Sequence, residues 1–131
     1  MSRENVEIVR RIYGHWARRE WPLIPEFFDP DVEVDLSRNV FNPDTYRGHA
    51  GIGRLLQNVD EMWNDFRIEP TELVDAGDKV LATVRIGGTG KESGVEVEMQ
   101  VMNVWTIRDA KVVRIAGGYR DRAEALEAAG L

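Results

Sequence analysis

The sequence predicts an α+β domain in which helices cover one face of a curved antiparallel sheet, on two observations. Apolar residues recur at helical spacing through the first half, and from Phe66 onward four strand-like runs follow one another across turn chemistry. A curved sheet closed by helices leaves a pocket. At 131 residues, with no internal repeat, linker or low-complexity tract, the chain reads as a single domain over 1–131.

Val6, Val9, Ile12, Tyr13 and Trp16 form one stripe, so an opening helix is expected, with Ser2 as its cap and Glu4 in its first turn. Trp21, Leu23, Ile24, Phe27 and Phe28 lie among Pro22, Pro25 and Pro30, which allow a turn of helix at most. Val32-Glu33-Val34-Asp35-Leu36 alternates as a half-buried strand, with Asp35 pointing away from the apolar face. The stretch 37–48 has no period and contains Asn42-Pro43-Asp44, the signature of a long loop of the kind that walls or covers a site. Ile52, Leu55, Leu56, Val59, Met62 and Trp63 return to helical spacing. The strand runs are expected near 66–74, 80–86, 95–107 and 111–119, with a three-residue loop, Arg108-Asp109-Ala110, joining the last two. Asp121 and Glu124 stand at capping-box spacing before a short last helix, closed at Gly130, that docks through Leu126 and Leu131.

Seventeen basic against 23 acidic residues give a net charge of −6, which opposes a nucleic-acid partner. Zero cysteines exclude disulfides and thiolate chemistry and suit a reducing, cytoplasmic setting. The opening Met1–Asn5 lacks the apolar stretch of a secretory signal, and no apolar run reaches the ~20 residues of a membrane helix. Two distant histidines without paired acidic ligands argue against a metal site, and no cofactor motif stands: Gly87–Ser93 resembles a phosphate loop but carries Glu92 where a hydroxyl is required.

Asn103 is a lone amide in the hydrophobic face Val95, Val97, Met99, Val101, Trp105, Ile107. It is either satisfied internally or turned to a ligand. With a three-residue loop it would lie opposite Ile115, beside Gly117-Gly118, a pair that suggests a bulge or a close approach, and Tyr119 would edge the same space. Tyr13 on the inner helix stripe needs a partner for its hydroxyl, and together with Asn103 could donate to a developing oxyanion. For a base the leading candidates are Asp35, if a bulge turned it into an apolar pocket that raised its pKa, and His49, whose bland alternative is a capping role at a helix start; His15 is a weaker third, off the helix stripe and expected to be exposed.

The opening helix through Tyr13 and Trp16, Phe28-Asp29-Pro30-Asp31-Val32, Tyr46-Arg47-Gly48-His49 before a helix, Val104-Trp105-Thr106 with Lys111-Val112-Val113, and Glu124-Ala125-Leu126 together resemble the SnoaL-like members of the nuclear-transport-factor-two-like superfamily. The resemblance covers nearly the whole length. It implies a cone-shaped barrel of bent sheet and helices around a deep, largely apolar pocket, and it implies a homodimer paired through the outer sheet face. Against the ketosteroid isomerase pattern, Tyr13 falls on the oxyanion-hole tyrosine, Asn103 on the protonated aspartic acid and Tyr119 on a pocket aromatic. The base position falls on Leu36, so that carboxylate is absent unless a bulge shifts Asp35 into its place.

The expected ligand is a small hydrophobic carbonyl compound, walled by Trp16, Val34, Leu36, Tyr46, Trp63, Met99, Trp105 and Tyr119. Tyr13, Asn103 and Asp35 or His49 would carry isomerase- or cyclase-type proton transfer. The alternatives are a non-catalytic carrier or sensor with the same pocket, and a dimeric interaction module.

Overall fold

In the computed structural model, which describes residues 2–131 apart from the side chain of Ser2, helix α1 spans Ser2–Ala17 and buries the stripe Val9, Ile12 and Tyr13. The cap expected of Ser2 concerns a side chain outside the described residues. Two 3₁₀ turns, Trp21–Leu23 and Pro25–Phe27, each with a proline in the first turn, occupy the proline-bounded stretch. They lead into strand β1, Phe28–Asp35. The long loop then closes with a three-residue edge strand β2, Thr45–Arg47, and helix α2 runs Gly48–Met62. The strands β3 (Trp63–Ala76), β4 (Lys79–Gly90), β5 (Glu96–Arg108) and β6 (Lys111–Tyr119) follow, and helix α3 (Arg122–Ala128) ends the fold.

The six strands form one open sheet in the order β2-β1-β6-β5-β4-β3. The sheet is mixed rather than wholly antiparallel, because β1 lies parallel to β6. Their register shifts between Phe28 and Glu33, around Pro30, whose missing N–H cannot serve a ladder. Helices α1 and α2 pack on one face of the sheet, where Val80, Ala82, Val84, Val101, Trp105 and Ile115 join the main core.

On the opposite face α3 covers a second cluster of Leu81, Met102 and Val104 with its own Ala125 and with Ala129, which caps its C-terminus. Asp121 caps α3 by accepting from the Ala123 and Glu124 N–H groups. The expected docking of Leu131 is corrected: that side chain is exposed, and Leu126 is only partly buried. No helix among the described residues is long and apolar enough to cross a membrane.

The β5–β6 hairpin corrects the expected register. Its turn has two residues, Asp109 and Ala110, both at positive φ (51° and 62°), so Arg108 pairs with Lys111. Positive φ at both positions gives the primed turn whose twist matches the flanking strands, even though Ala110 carries a Cβ there. Register shifts between Thr106 and Ile107 and between Met102 and Val104 move the partners further. Ile115 therefore pairs with Trp105 rather than Asn103, and Asn103 faces the Gly117-Gly118 bulge.

Candidate functional site

A cavity of about 170 Å³ lies between this face of the sheet and the two helices, and seats many times the roughly 10–15 Å³ that one water needs. Its floor is built on strand alternation. Val34 near the end of β1 and Leu36 just beyond it, Met99, Asn103 and Trp105 on β5 and Ile115 on β6 all turn inward. The helices contribute Tyr13 and Trp16 from α1 and Asn58 from α2. The long loop supplies a wall through Asn39–Asn42, and Phe41 meets Trp63 edge to face at 5.3 Å.

Tyr13 is the polar centre of this wall. Only 3% exposed, it sets its ring edge to face against Trp105 at 5.3 Å. Its Oη accepts two hydrogen bonds, from Asn103 Nδ2 at 3.0 Å and from Trp105 Nε1 at 3.1 Å. Asn103 Oδ1 in turn accepts from the Gly118 N–H at 3.1 Å. Because a backbone N–H can only donate, this last bond fixes which end of the amide faces Tyr13. Asn103 is thus both internally bonded and on the cavity wall, and it retains a second N–H. The phenol proton has no acceptor among the described residues. Burial pushes the Tyr13 pKa up from 10.0 to about 12, against the lowering effect of its two donors, so the hydroxyl stays protonated and available to donate at neutral pH.

The bulge is what admits this network. A Cβ on Gly117 would stand 2.7 Å from Asn103 Oδ1 and 2.7 Å from Leu36 Cδ2, and Gly118 sits at φ +84°. The same break in alternation corrects the placement of Tyr119. Its ring packs on the α3 side with Met102, not in the cavity, and the Arg38 guanidinium lies 4.3 Å from its centroid. Tyr46 does line the cavity, and its Oη accepts from Asn58 Nδ2 at 3.0 Å.

Neither candidate base reaches the cavity. Alternation that turns Leu36 inward turns Asp35 outward, where its carboxylate accepts from Ser37 N and Oγ at 3.0 and 2.6 Å and faces Arg38 and Arg114 at 3.4 and 3.5 Å. The Ser37 hydrogen bonds, aided by the two guanidiniums, hold the Asp35 pKa below the usual carboxylate range, the opposite of what a general base near neutrality needs. His49 joins the start of α2 to β1, its Nε2 donating to the Phe28 carbonyl at 2.9 Å. No Asp, Glu or His lines the cavity among the described residues, and no three metal-ligating side chains cluster there.

Sequence reasoning overlooked Asn39, Asn42, Asn58, Phe66 and Arg120 as lining residues. The loop residues were foreshadowed only by the length of 37–48. Asn58 and Arg120 read locally as surface polar groups, and only the tertiary fold turns them to the cavity.

A family model described as "SnoaL-like domain" matches residues 9–115. No curated protein matches the chain. Among solved structures, an NTF2-like protein from Burkholderia xenovorans LB400 is 28% identical with a TM-score of 0.77, covering 98% of this chain and 97% of its own. TerC, crystallised with polyporic acid, is 25% identical with a TM-score of 0.76, covering 98% of this chain and 99% of its own. A protein of ketosteroid isomerase-like fold from Catenulispora acidiphila DSM 44928, in complex with trimethylamine, is 19% identical with a TM-score of 0.75, covering 95% of this chain and 93% of its own.

Proposed function

The chain belongs to the SnoaL-like domain family, and from that premise we propose that it binds a small, largely apolar carbonyl compound whose oxygen accepts the Tyr13 hydroxyl proton. The observation that carries this reading is the Tyr13 hydroxyl itself: two donors converge on its oxygen, and its proton has no acceptor among the described residues, in a wall that is largely apolar. Accepting two hydrogen bonds polarises the O–H and strengthens it as a donor. The second N–H of Asn103 adds a donor of a kind that, unlike a protonated carboxyl, does not titrate. Binding is therefore expected to be flat from about pH 5 to 9, since neither donor changes its protonation there.

The test compares 2-acetonaphthone with 2-isopropenylnaphthalene, in which a methylene replaces the carbonyl oxygen, by calorimetric titration. The ketone is expected to bind about tenfold tighter, the value of one good buried hydrogen bond. Equal affinities would remove the role assigned to Tyr13.

A cavity wall without Asp, Glu or His among the described residues favours a carrier or sensor over isomerase- or cyclase-type proton transfer. On that reading the protein does not accelerate deuterium exchange at the methyl group of 2-acetonaphthone in D₂O above the buffer rate. Exchange that Tyr13→Phe abolishes would instead mark an enzyme. Asp35→Asn combined with His49→Gln is expected to keep ketone affinity within about twofold, since sites without shared partners add independently. A tenfold loss in the double variant would restore one of them to the site.

A further inference from the structure

Of the side chains lining the cavity, Arg120 alone carries a formal charge among the described residues. It follows the last residue of β6, at the outer end of the strand whose bulge holds Asn103, and it is exposed. Its guanidinium has no ion pair and no hydrogen bond to any described residue. The charges around it are otherwise engaged: Asp121 caps α3, Arg122 pairs with Glu72 at 3.1 Å, and Arg38 is held by Asp35 and the Gly117 carbonyl. An unpaired arginine on open surface means little. One that is the sole charge on an apolar cavity, in a chain of net charge −6, selects what enters.

We propose that Arg120 binds an anionic oxygen group of the ligand, so that the ligand class is a keto acid with an apolar body, its carbonyl at Tyr13 and its carboxylate at Arg120. This rests on the carbonyl-binding reading above and deepens it. The planar fork of a guanidinium matches a carboxylate through two parallel hydrogen bonds, which a point charge cannot reproduce. Gly118 touches Asn103, and Arg120 lies two residues further along, roughly 7 Å in an extended chain, so a spacer of a few carbons separates the two polar ends of the ligand.

The experiment titrates 5-oxo-5-phenylpentanoate and its primary amide, which differ only in the charge at one end, into wild type and Arg120 variants at low ionic strength. Wild type is expected to bind the acid about tenfold tighter than the amide, as for a charge-assisted hydrogen-bonded pair. Arg120→Gln should bring the two to parity, and Arg120→Lys should retain part of the preference. An acid no tighter than the amide on wild type, or a preference that survives Arg120→Gln, overturns the assignment. Binding of 2-acetonaphthone with no binding of either phenyl probe also overturns it, yet leaves the carbonyl site standing. If no ketone of the three binds, both readings fall together.

Discussion

Tyr13→Phe is expected to lower the unfolding free energy by about 2–4 kcal/mol, although it removes a single oxygen atom. That oxygen is the common acceptor for Asn103 Nδ2 and Trp105 Nε1, so its loss strands two donors in an apolar wall at once. Each stranded donor costs about 1–3 kcal/mol, and water entering the cavity offsets part of the sum. Urea unfolding with an unchanged slope would measure the loss directly. A change below about 0.5 kcal/mol would mean that both donors find other acceptors. The same variant is expected to lose the preference for 2-acetonaphthone over its alkene counterpart.

Tyr13 also gives wild type an alkaline signature. The folded phenol keeps its proton to about 12, the unfolded one only to 10.0, so above pH 10 the unfolded chain releases a proton that the fold retains. Stability owed to this group is therefore intact below pH 10 and declines up to about pH 12, by about 2–3 kcal/mol for a shift of that size. Tyr13→Phe removes this contribution, and the difference between the two unfolding profiles isolates it from other alkaline titrations.

The second large effect is expected from Gly117→Ala, at about 3 kcal/mol of destabilisation. The added methyl would sit 2.7 Å from both Asn103 Oδ1 and Leu36 Cδ2, too close for either neighbour to remain where it is. If the amide yields, the Gly118 N–H loses its acceptor and the Tyr13 network loses its orientation. If Leu36 yields, the cavity wall opens. Gly53→Ala is the contrasting control: a Cβ there meets nothing within 4 Å, and on helix α2 it should stabilise by about 0.5–1 kcal/mol. Thermal unfolding of the pair reads both signs. A Gly117→Ala protein as stable as wild type would show that the bulge repacks freely.

The sequence alone was sufficient for what depends on local periodicity. The helical stripe put Tyr13 on the inner face of α1, and the alternation of Val32–Leu36 put Leu36 inside and Asp35 outside, because a strand presents successive side chains to opposite faces. One amide among hydrophobes marked Asn103 for the same reason. Tertiary structure decided whatever depends on how strands pair. The primed turn at Asp109-Ala110 and the register shifts on β5–β6 carried Asn103 to the glycine bulge, sent Tyr119 to the far face, and brought Arg120 to the cavity. The parallel contact between β1 and β6 joins segments about 80 residues apart, and no window of neighbouring residues encodes it. Register is the sum of many backbone hydrogen bonds across the sheet, and a one-residue slip reverses every side chain beyond it, so the site's polar partners became visible only once the strands were paired.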